Sequence, residues 1–221
     1  MQEFAITSEP QKHSVFDNYV PIVKEGRHTD IYLTDTIEAP AEYTETCRVI
    51  ERAYKEDTIT LHINSGGGWV DSGFMLVDVI GRSNAVVTAQ LSGTVASIAT
   101  IIALSCDKLV VAEHISWLSH NYSAGIQGKG GEMKAQMEFM SSELAISFKQ
   151  LHKGFFTSVE MDGIIEDKDM WLNRTEILGR WEAMRTGNSQ LLEFIASVKK
   201  SKQPLDLSSK AAQKLTEAAD E

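Results

Sequence analysis

One serine lies where a nucleophile could be exposed. Ser97 comes shortly after Gly93, at the end of a charge-free strand, and opens the apolar run IATIIAL. In the first turn of a helix, free N–H groups and the positive end of the helix dipole favour developing negative charge. Such a serine can attack a carbonyl if a base removes its proton. The alternative is that Ser97 is only a small residue where two elements pack closely.

Among the histidines, His120 is the best candidate for this base. It ends the apolar strand ISWLSH and precedes a loop with Gly125, Gly128 and Gly130, although loop histidines often have no catalytic role. A third group has to hold the imidazole in the correct tautomer. The segment MDGIIEDKDMWL offers four acids, among which the residues alone do not choose: Asp162, Glu166, Asp167 and Asp169.

Three consecutive glycines follow the β-branched strand TITLHI. In the turn made by Ser65, Gly66, Gly67 and Gly68, backbone N–H groups can approach a ligand because no Cβ stands in the way. The turn lacks the lysine of a phosphate-binding loop and the spacing of a dinucleotide fingerprint. It either holds an oxyanion, shared between the Gly68 and Ile98 N–H groups, or is only a tight connection between a strand and a helix.

Strands alternate with helices along most of the chain, which predicts an α/β fold with a mostly parallel sheet of right-handed βαβ units. Ligands of such sheets bind at the carboxyl ends of the strands. The predicted strands are 30–33, 58–63, 85–91, 108–113 and 115–120, and the predicted helices are 39–55, 69–83, 95–104 and 175–185. Gly81 is expected to stop the second helix, whose buried face would comprise Val70, Phe74, Val77 and Ile80.

The chain divides into an irregular N-terminal arm over 1–28, a domain over 29–185 and an appendage over 186–221, whose start could be helical and whose end is polar and mobile. Within the domain, a long helix is predicted at about 131–156, with apolar residues three or four positions apart. Without a partner helix nearby in sequence, this stripe is expected to pack against another chain. It comprises Met133, Met137, Met140, Leu144, Phe148, Leu151 and Phe155.

Composition argues against several classes of function. The 221 residues carry a net charge of −10, which repels nucleic acids and anionic membrane surfaces. Cys47 and Cys106 form no C-x-x-C motif, so no disulfide framework, metal site or cofactor is expected. The segment 84–106 carries no charge, but its polar residues favour a buried strand and helix over a membrane span. The N-terminus does not resemble a signal peptide, so a cytoplasmic protein is expected.

Four motifs in this order, NSGGGWVDSG, VASIAT, WLSHNYSAG and DKDMWL, resemble the proteolytic subunits of the Clp protease family, which belongs to the crotonase-like superfold. The likeness runs from about Asp30 to about Trp181. It implies stacked βαβ units, a mostly parallel sheet and a protruding handle helix, which matches the predicted helix at 131–156. In the family this helix interlocks two heptameric rings, so the resemblance implies a homo-oligomer.

The resemblance also implies a site. Ser97 falls on the family's nucleophile, His120 on its general base and Asp169 on its orienting acid, while Gly68 and Ile98 fall on the oxyanion hole. The implied activity is that of a serine endopeptidase, which cleaves peptides or unfolded proteins inside a ring chamber. An extended peptide would add as a strand between two edges, which contain Gly67, Val70, Ser123 and Gly125.

Some positions depart from the family pattern. Gly66 replaces a proline, and Ile98 and Ala99 replace methionine and glycine, but no member of the triad is lost. The aromatic pocket that docks an AAA+ unfoldase in the family is replaced by Thr60, His62 and Arg82. The helix before the first strand is missing, and the appendage is longer. These departures imply a divergent member of the family that works without the usual ATPase or with a different partner. Phage-encoded relatives share such features, so a phage origin is expected to be one source of such a protein.

Two other functions stay open from the sequence. A crotonase-type acyl-CoA enzyme would also use paired backbone N–H groups, to polarise a thioester, but it would not need Ser97, His120 and Asp169 together. A catalytically inactive ring subunit or assembly scaffold would keep the handle helix without the activity. The complete set of three residues argues against this second alternative.

Overall fold

Six strands form one sheet, and their spatial order is their order in the chain. The computed structural model describes residues 20–123, 125, 127–201 and 204–217. Within them the strands are β1 (Ile22–Glu25), β2 (His28–Ile37), β3 (Thr58–Gly68), β4 (Val86–Ala96), β5 (Lys108–Ser119) and β6 (Met170–Leu172). Strands β2 to β5 are parallel, and β1 and β6 pair antiparallel at the two edges. The predicted mostly parallel α/β sheet is therefore confirmed.

The helices connect and cover these strands. They are α1 (Thr44–Glu51), α2 (Val70–Arg82), α3 (Ile98–Leu104), α4 (Gly130–Leu151), α5 (Ser158–Ile165), α6 (Arg174–Thr186), α7 (Ser189–Lys200) and α8 (Lys210–Glu217), with a 3-10 helix at Pro40–Tyr43. Helix α3 packs on β3, β4 and β5, and α2 contacts both α1 and α3. The connecting helices therefore form a layer on one face of the sheet, as repeated βαβ units require.

The main core lies between the sheet and this helical layer. In β3, Ile59, Leu61 and Ile63 are buried, whereas Thr60 and His62 alternate with them and are half-buried. This alternation follows from the two-residue period of a strand. One face of the sheet is thus apolar and covered, and the other carries polar side chains.

The charge-free segment 84–106 is shared between β4 and α3. It forms a strand with one buried face, a turn and a fully buried helix, and not the single apolar helix of a membrane span. Among the residues that the structure describes, no helix is both long enough and apolar enough to cross a bilayer.

The predicted arm over 1–28 is wrong in its last part, because residues 22–25 form β1. Pro21 immediately precedes this strand, and its carbonyl accepts the Tyr32 N–H at 3.0 Å. A proline is compatible with the start of an edge strand, since its missing N–H is not needed there. The predicted residues 1–19 lie outside the described part of the chain.

Two further boundaries differ from the prediction. The strands predicted at 108–113 and 115–120 are one strand, β5, because β4 pairs with it on both sides of a register shift between Leu91 and Gly93. Helix α2 continues through Gly81 to Arg82. The fully buried face of α2 also differs from the predicted one, because the helix packs between α1 and α3. The buried residues are Ser72, Gly73, Leu76, Val79 and Ile80.

The long helix and the appendage also needed correction. Helix α4 ends at Leu151, so Phe155 lies beyond it and packs on Trp117 with ring centroids 5.2 Å apart. Helix α7 forms where a helix was expected. The end of the appendage, predicted to be mobile, contains α8, and both helices share a small second core with Leu191, Leu192, Ile195 and Leu215. Residues 202–203 and 218–221 of this segment lie outside the described residues.

Candidate active site

Ser97 occupies a sharp turn between β4 and α3. Its backbone has φ 57° and ψ −132°, a conformation that costs a non-glycine residue about 1–3 kcal/mol. The Ser97 N–H donates to the Leu118 carbonyl at 2.9 Å, and the Thr100 N–H donates to the Ser97 carbonyl at 3.0 Å. The side chain is partly exposed at the carboxyl end of the sheet. A strained strand-to-helix turn of this kind is typical of an exposed nucleophile.

The glycine turn at the end of β3 lies directly against this serine. A Cβ on Gly67 would come 2.5 Å from Ser97 Cβ and 3.1 Å from Ser97 Oγ. A Cβ on Gly68 would overlap the Ile37 carbonyl oxygen, and both glycines have positive φ. Only glycine therefore lets the β3 backbone approach Ser97 so closely.

The two predicted oxyanion donors come from two different segments, the end of β3 for Gly68 and the start of α3 for Ile98. Gly68 directly follows Gly67, the glycine that contacts Ser97. The Gly67 N–H itself donates to Ser65 Oγ at 3.1 Å. Ile98 is the first residue of α3, where a helix offers no internal acceptor for the N–H. Gly73 in α2 lies so close to the Ile98 side chain that no Cβ would fit there. Contact with α2 thus holds the start of α3 in place.

His120 and Asp169 lie at the ends of adjacent antiparallel strands. The register pairs Ser119 with Met170 as the last rung between β5 and β6. Continuing this register by one residue places His120 directly opposite Asp169. On the other side of β5, the register with β4 ends at Ala96 opposite Leu118. The three predicted triad residues are therefore brought to three neighbouring strand ends.

The side chains of this triad are not yet joined. Within the described residues, no hydrogen bond links Ser97 Oγ, the His120 ring and the Asp169 carboxylate to one another. His120 is half-buried and Asp169 is exposed. The strand register thus brings the three positions to neighbouring strand ends without joining their side chains.

The other acids left open by the sequence have different partners. Asp162 pairs with Lys149 at 2.7 Å, and Glu166 lies 3.4 Å from Lys168. Asp167 accepts a hydrogen bond from the Asn121 side chain at 2.9 Å. These contacts favour Asp169 as the acid for His120, because the other three carboxylates are engaged elsewhere.

The residues predicted to bind peptide are arranged around Ser97 less completely. Gly67 contacts Ser97, and Val70 is the half-buried first residue of α2, next to the glycine turn. Ser123 and Gly125 are exposed and belong to no strand. The second predicted edge is therefore not formed as a strand in the described residues.

Two polar side chains at this edge of the sheet were missed as site residues. Ser65 is buried and its hydroxyl accepts the Gly67 N–H, which shapes the glycine turn. Asn121 binds the segment that leads to Asp169. The only signal in the sequence was position, since Ser65 directly precedes the three glycines and Asn121 directly follows His120.

The three positions that replace the docking aromatics are occupied by paired polar groups. His62 Nε2 donates to Asp30 Oδ1 at 2.7 Å, and this hydrogen bond is the main reason that the pKa of Asp30 is lowered. Arg82 pairs with Glu51 at 2.9 Å, and Thr60 Oγ1 lies 3.4 Å from a nitrogen of His28. This surface is polar, as expected from the three residues alone.

In the part of the chain that the structure describes, no group of three histidine, cysteine, aspartate or glutamate side chains is arranged to hold a metal ion. Cys47 and Cys106 are free thiols, and burial raises the pKa of both. Neither thiol is therefore prone to act as a thiolate nucleophile.

Comparison with known proteins gives a consistent result. The model of the family described as Clp protease matches residues 13–184. The ATP-dependent Clp protease proteolytic subunit of Leuconostoc citreum is 29% identical over 126 residues, which cover 54% of this chain and 62% of the relative. The ATP-dependent Clp protease proteolytic subunit 2 of Pseudomonas aeruginosa is 30% identical over 127 residues, which cover 55% and 61%. The chain thus spans about three fifths of the length of these relatives.

Proposed function

Because the chain belongs to the Clp protease family, we propose that it is a serine endopeptidase that cleaves peptides or unfolded proteins. Family membership by itself indicates a peptidase, and the serine mechanism is the finer proposal. Ser97 would be the nucleophile, His120 the general base and Asp169 the acid that orients His120. The observation that carries the proposal is the strained backbone of Ser97, whose side chain is held against Gly67 at the carboxyl end of the sheet.

The proposed chemistry passes through an acyl-enzyme. His120 takes the proton of Ser97 Oγ as this oxygen attacks the peptide carbonyl, and the Gly68 and Ile98 N–H groups donate to the resulting oxyanion. The imidazolium, steadied by Asp169, then gives its proton to the leaving amine, and water releases the acyl group by the reverse steps. Losing one oxyanion donor is expected to cost about 3 kcal/mol, or roughly a hundred-fold in rate.

Substrate binding is proposed to complete the triad. Catalytic hydrogen bonds are often long in a free enzyme and tighten when the substrate binds. An extended peptide would lie along the Gly67–Val70 edge and pair with Ser123 and Gly125 as an added strand. Since His120 lies only three residues before Ser123 in the chain, this pairing would also bring the imidazole between Ser97 and Asp169.

Helix α4 supports the proposal of an oligomer. Family membership implies oligomeric assembly, and α4 exposes Met137 to 56%, Phe139 to 67% and Ile146 to 50%. Phe139 and Ile146 lie seven positions apart on the same face of the helix, and apolar side chains so exposed are expected to be covered by another copy of the chain. We propose that α4 interlocks two heptameric rings that enclose the sites. Phe139→Glu should lower the assembled mass in sedimentation, whereas Glu143→Gln on the same helix should not.

An AAA+ unfoldase is a conceivable partner, but the usual docking positions argue against it. His62 and Arg82 bind Asp30 and Glu51, so these two positions present paired polar groups to a docking loop in place of aromatic rings. We propose that the protein works without such an ATPase or with a different one. Robust ATP-dependent degradation of a folded substrate with a bacterial Clp unfoldase would contradict this. A cytoplasmic location and a phage origin stay predictions.

Labelling with a fluorophosphonate probe, followed by intact mass, tests the proposed function. A single adduct on the wild type that is absent from Ser97→Ala, at equal oligomeric mass, would support the activated serine. An assembled wild type without an adduct would favour the inactive ring subunit or scaffold. Turnover of an acyl-CoA thioester that survives in Ser97→Ala would favour the crotonase-type enzyme.

A further inference from the structure

The residue directly after His120 makes three hydrogen bonds with a single amide group. Asn121 Nδ2 donates to the Ile165 carbonyl at 3.1 Å and to Asp167 Oδ1 at 2.9 Å. Asn121 Oδ1 accepts the Tyr122 N–H at 3.0 Å. Both protons and the oxygen of the amide are therefore used, although the residue lies in a loop beyond the end of β5.

These bonds join the two segments that carry His120 and Asp169. Ile165 is the last residue of α5, and Asp167 lies in the short connection to β6 with φ 65°. The β5–β6 ladder stops at Ser119 and Met170, just before His120 and Asp169. The Asn121 amide thus binds the two segments together beyond the last rung of the ladder.

We infer that Asn121 is a positioning residue that holds His120 in register with Asp169. The inference rests on the proposed function, because His120 and Asp169 matter together only if they serve Ser97. A neutral side chain with two protons on one nitrogen is needed, since both partners of Nδ2 are acceptors. An aspartate would instead place a carboxylate against Asp167, and the two like charges would repel each other.

The same short segment offers a matched control. The Tyr122 hydroxyl lies 3.2 Å from Ser141 Oγ of α4, so this hydroxyl binds the long helix. Tyr122→Phe removes this contact and keeps the aromatic ring. If the Asn121 amide acts by aligning His120 with Asp169, the two substitutions must differ in effect although they lie one residue apart.

The labelling rate with a fluorophosphonate provides the first test. Asn121→Asp should lower it about a hundred-fold, the typical effect of a small misplacement of a catalytic group, while Tyr122→Phe should leave it nearly unchanged. In the double variant Asn121→Asp with Asp167→Asn, the amide at position 167 can donate to the carboxylate at position 121. This hydrogen bond, with donor and acceptor exchanged, should recover part of the labelling rate. Wild-type labelling of a folded Asn121→Asp variant would overturn the inference.

The second test does not depend on activity. In protein labelled with ¹⁵N-histidine, Asp169→Asn should shift the ring nitrogen signals of His120 when residue 121 is asparagine, and should do so far less in Asn121→Asp. Equal shifts in both backgrounds would overturn the inference, whatever the labelling shows. If the wild type is not labelled but the shifts differ as expected, the proposed function fails and the positioning role of Asn121 stands.

Discussion

Two polar clusters of this protein are built in opposite ways. The first, which we call the Arg180 cluster, consists of Arg180, Glu160, Thr157 and the Phe155 carbonyl. Arg180 is fully buried and donates to both carboxylate oxygens of Glu160, at 2.9 and 2.6 Å, and to the Phe155 carbonyl at 3.1 Å. The second cluster is the triad, whose side chains are partly exposed and make no hydrogen bond to one another in the described residues.

The difference separates polar groups that support the structure from the groups that we propose take part in a reaction. In the Arg180 cluster, burial would raise the pKa of Glu160, but the hydrogen bonds and charge of Arg180 outweigh it and the pKa is lowered. The pair is therefore ionised and joins α6 to the start of α5. At the triad the strain lies in the backbone of Ser97, and the side chains are left free for a substrate.

The largest expected effect is on catalysis. Ser97→Ala should reduce peptide hydrolysis about a million-fold, as removal of a triad nucleophile does in other serine proteases, without lowering the stability. The measurement is hydrolysis of a fluorogenic peptide, with thermal unfolding of both proteins as the control. Substantial hydrolysis by pure Ser97→Ala would rule out Ser97 as the nucleophile and remove the contrast between the clusters.

The next effect is on stability and belongs to the Arg180 cluster. Arg180→Met should lower the free energy of unfolding by about 3–5 kcal/mol, since it leaves Glu160 largely buried without its partner. Arg82→Met breaks an exposed pair with Glu51 and should cost less than about 1 kcal/mol. Urea unfolding measures both variants. Similar costs for the two would show that burial of the pair does not matter.

Acid should weaken the region next to the Arg180 cluster through His152. Burial lowers the pKa of His152 from 6.5 to about 4, so the unfolded chain binds the proton first as the pH falls. The contribution of His152 to stability is complete above about pH 6.5 and is lost between about pH 6.5 and 4, by about 3 kcal/mol in total. His152→Gln should flatten the pH dependence of urea unfolding in this range, and an unchanged slope would contradict the assignment.

The smallest expected effect sharpens the contrast at the triad. Ser97→Gly should raise the free energy of unfolding by about 1 kcal/mol relative to Ser97→Ala, because φ 57° is unstrained for glycine. Both variants lack the hydroxyl, so the comparison isolates the backbone. Equal stability of the two in urea would show that the turn at residue 97 stores no strain.

The sequence predicted the strands and turns around Ser97 well because their signals are local. A β-branched strand followed by glycines, and a charge-free strand followed by Ser97 and an apolar run, predicted β3, β4 and the turns after them. The parallel sheet then brings the ends of these strands together. Asp169 could not be chosen from spacing alone, since it depends on the antiparallel register between β5 and β6, and resemblance to the family was needed to select it.

The Arg180 cluster could not be predicted in the same way. Arg180 lies in a helix with charged residues nearby in sequence, and nothing in that pattern distinguishes it from an exposed arginine. Its burial depends on the meeting of α5, α6 and the segment after α4. Strand β1 was missed for a similar reason, because its pairing with β2 outweighs the irregular local sequence after Pro21.

The sequence by itself determined the α/β class, the alternation of strands and helices from β2 to β5 and the types of residue at the turns, because periodicity and glycine placement act over a few neighbouring residues. Tertiary structure alone decided the strained backbone of Ser97 and its contact with Gly67. It also decided the strand register that sets His120 opposite Asp169 and the hydrogen bonds of Asn121 to the segment before Asp169. These features depend on contacts between segments far apart in the chain, and such contacts leave no periodic signal in the sequence.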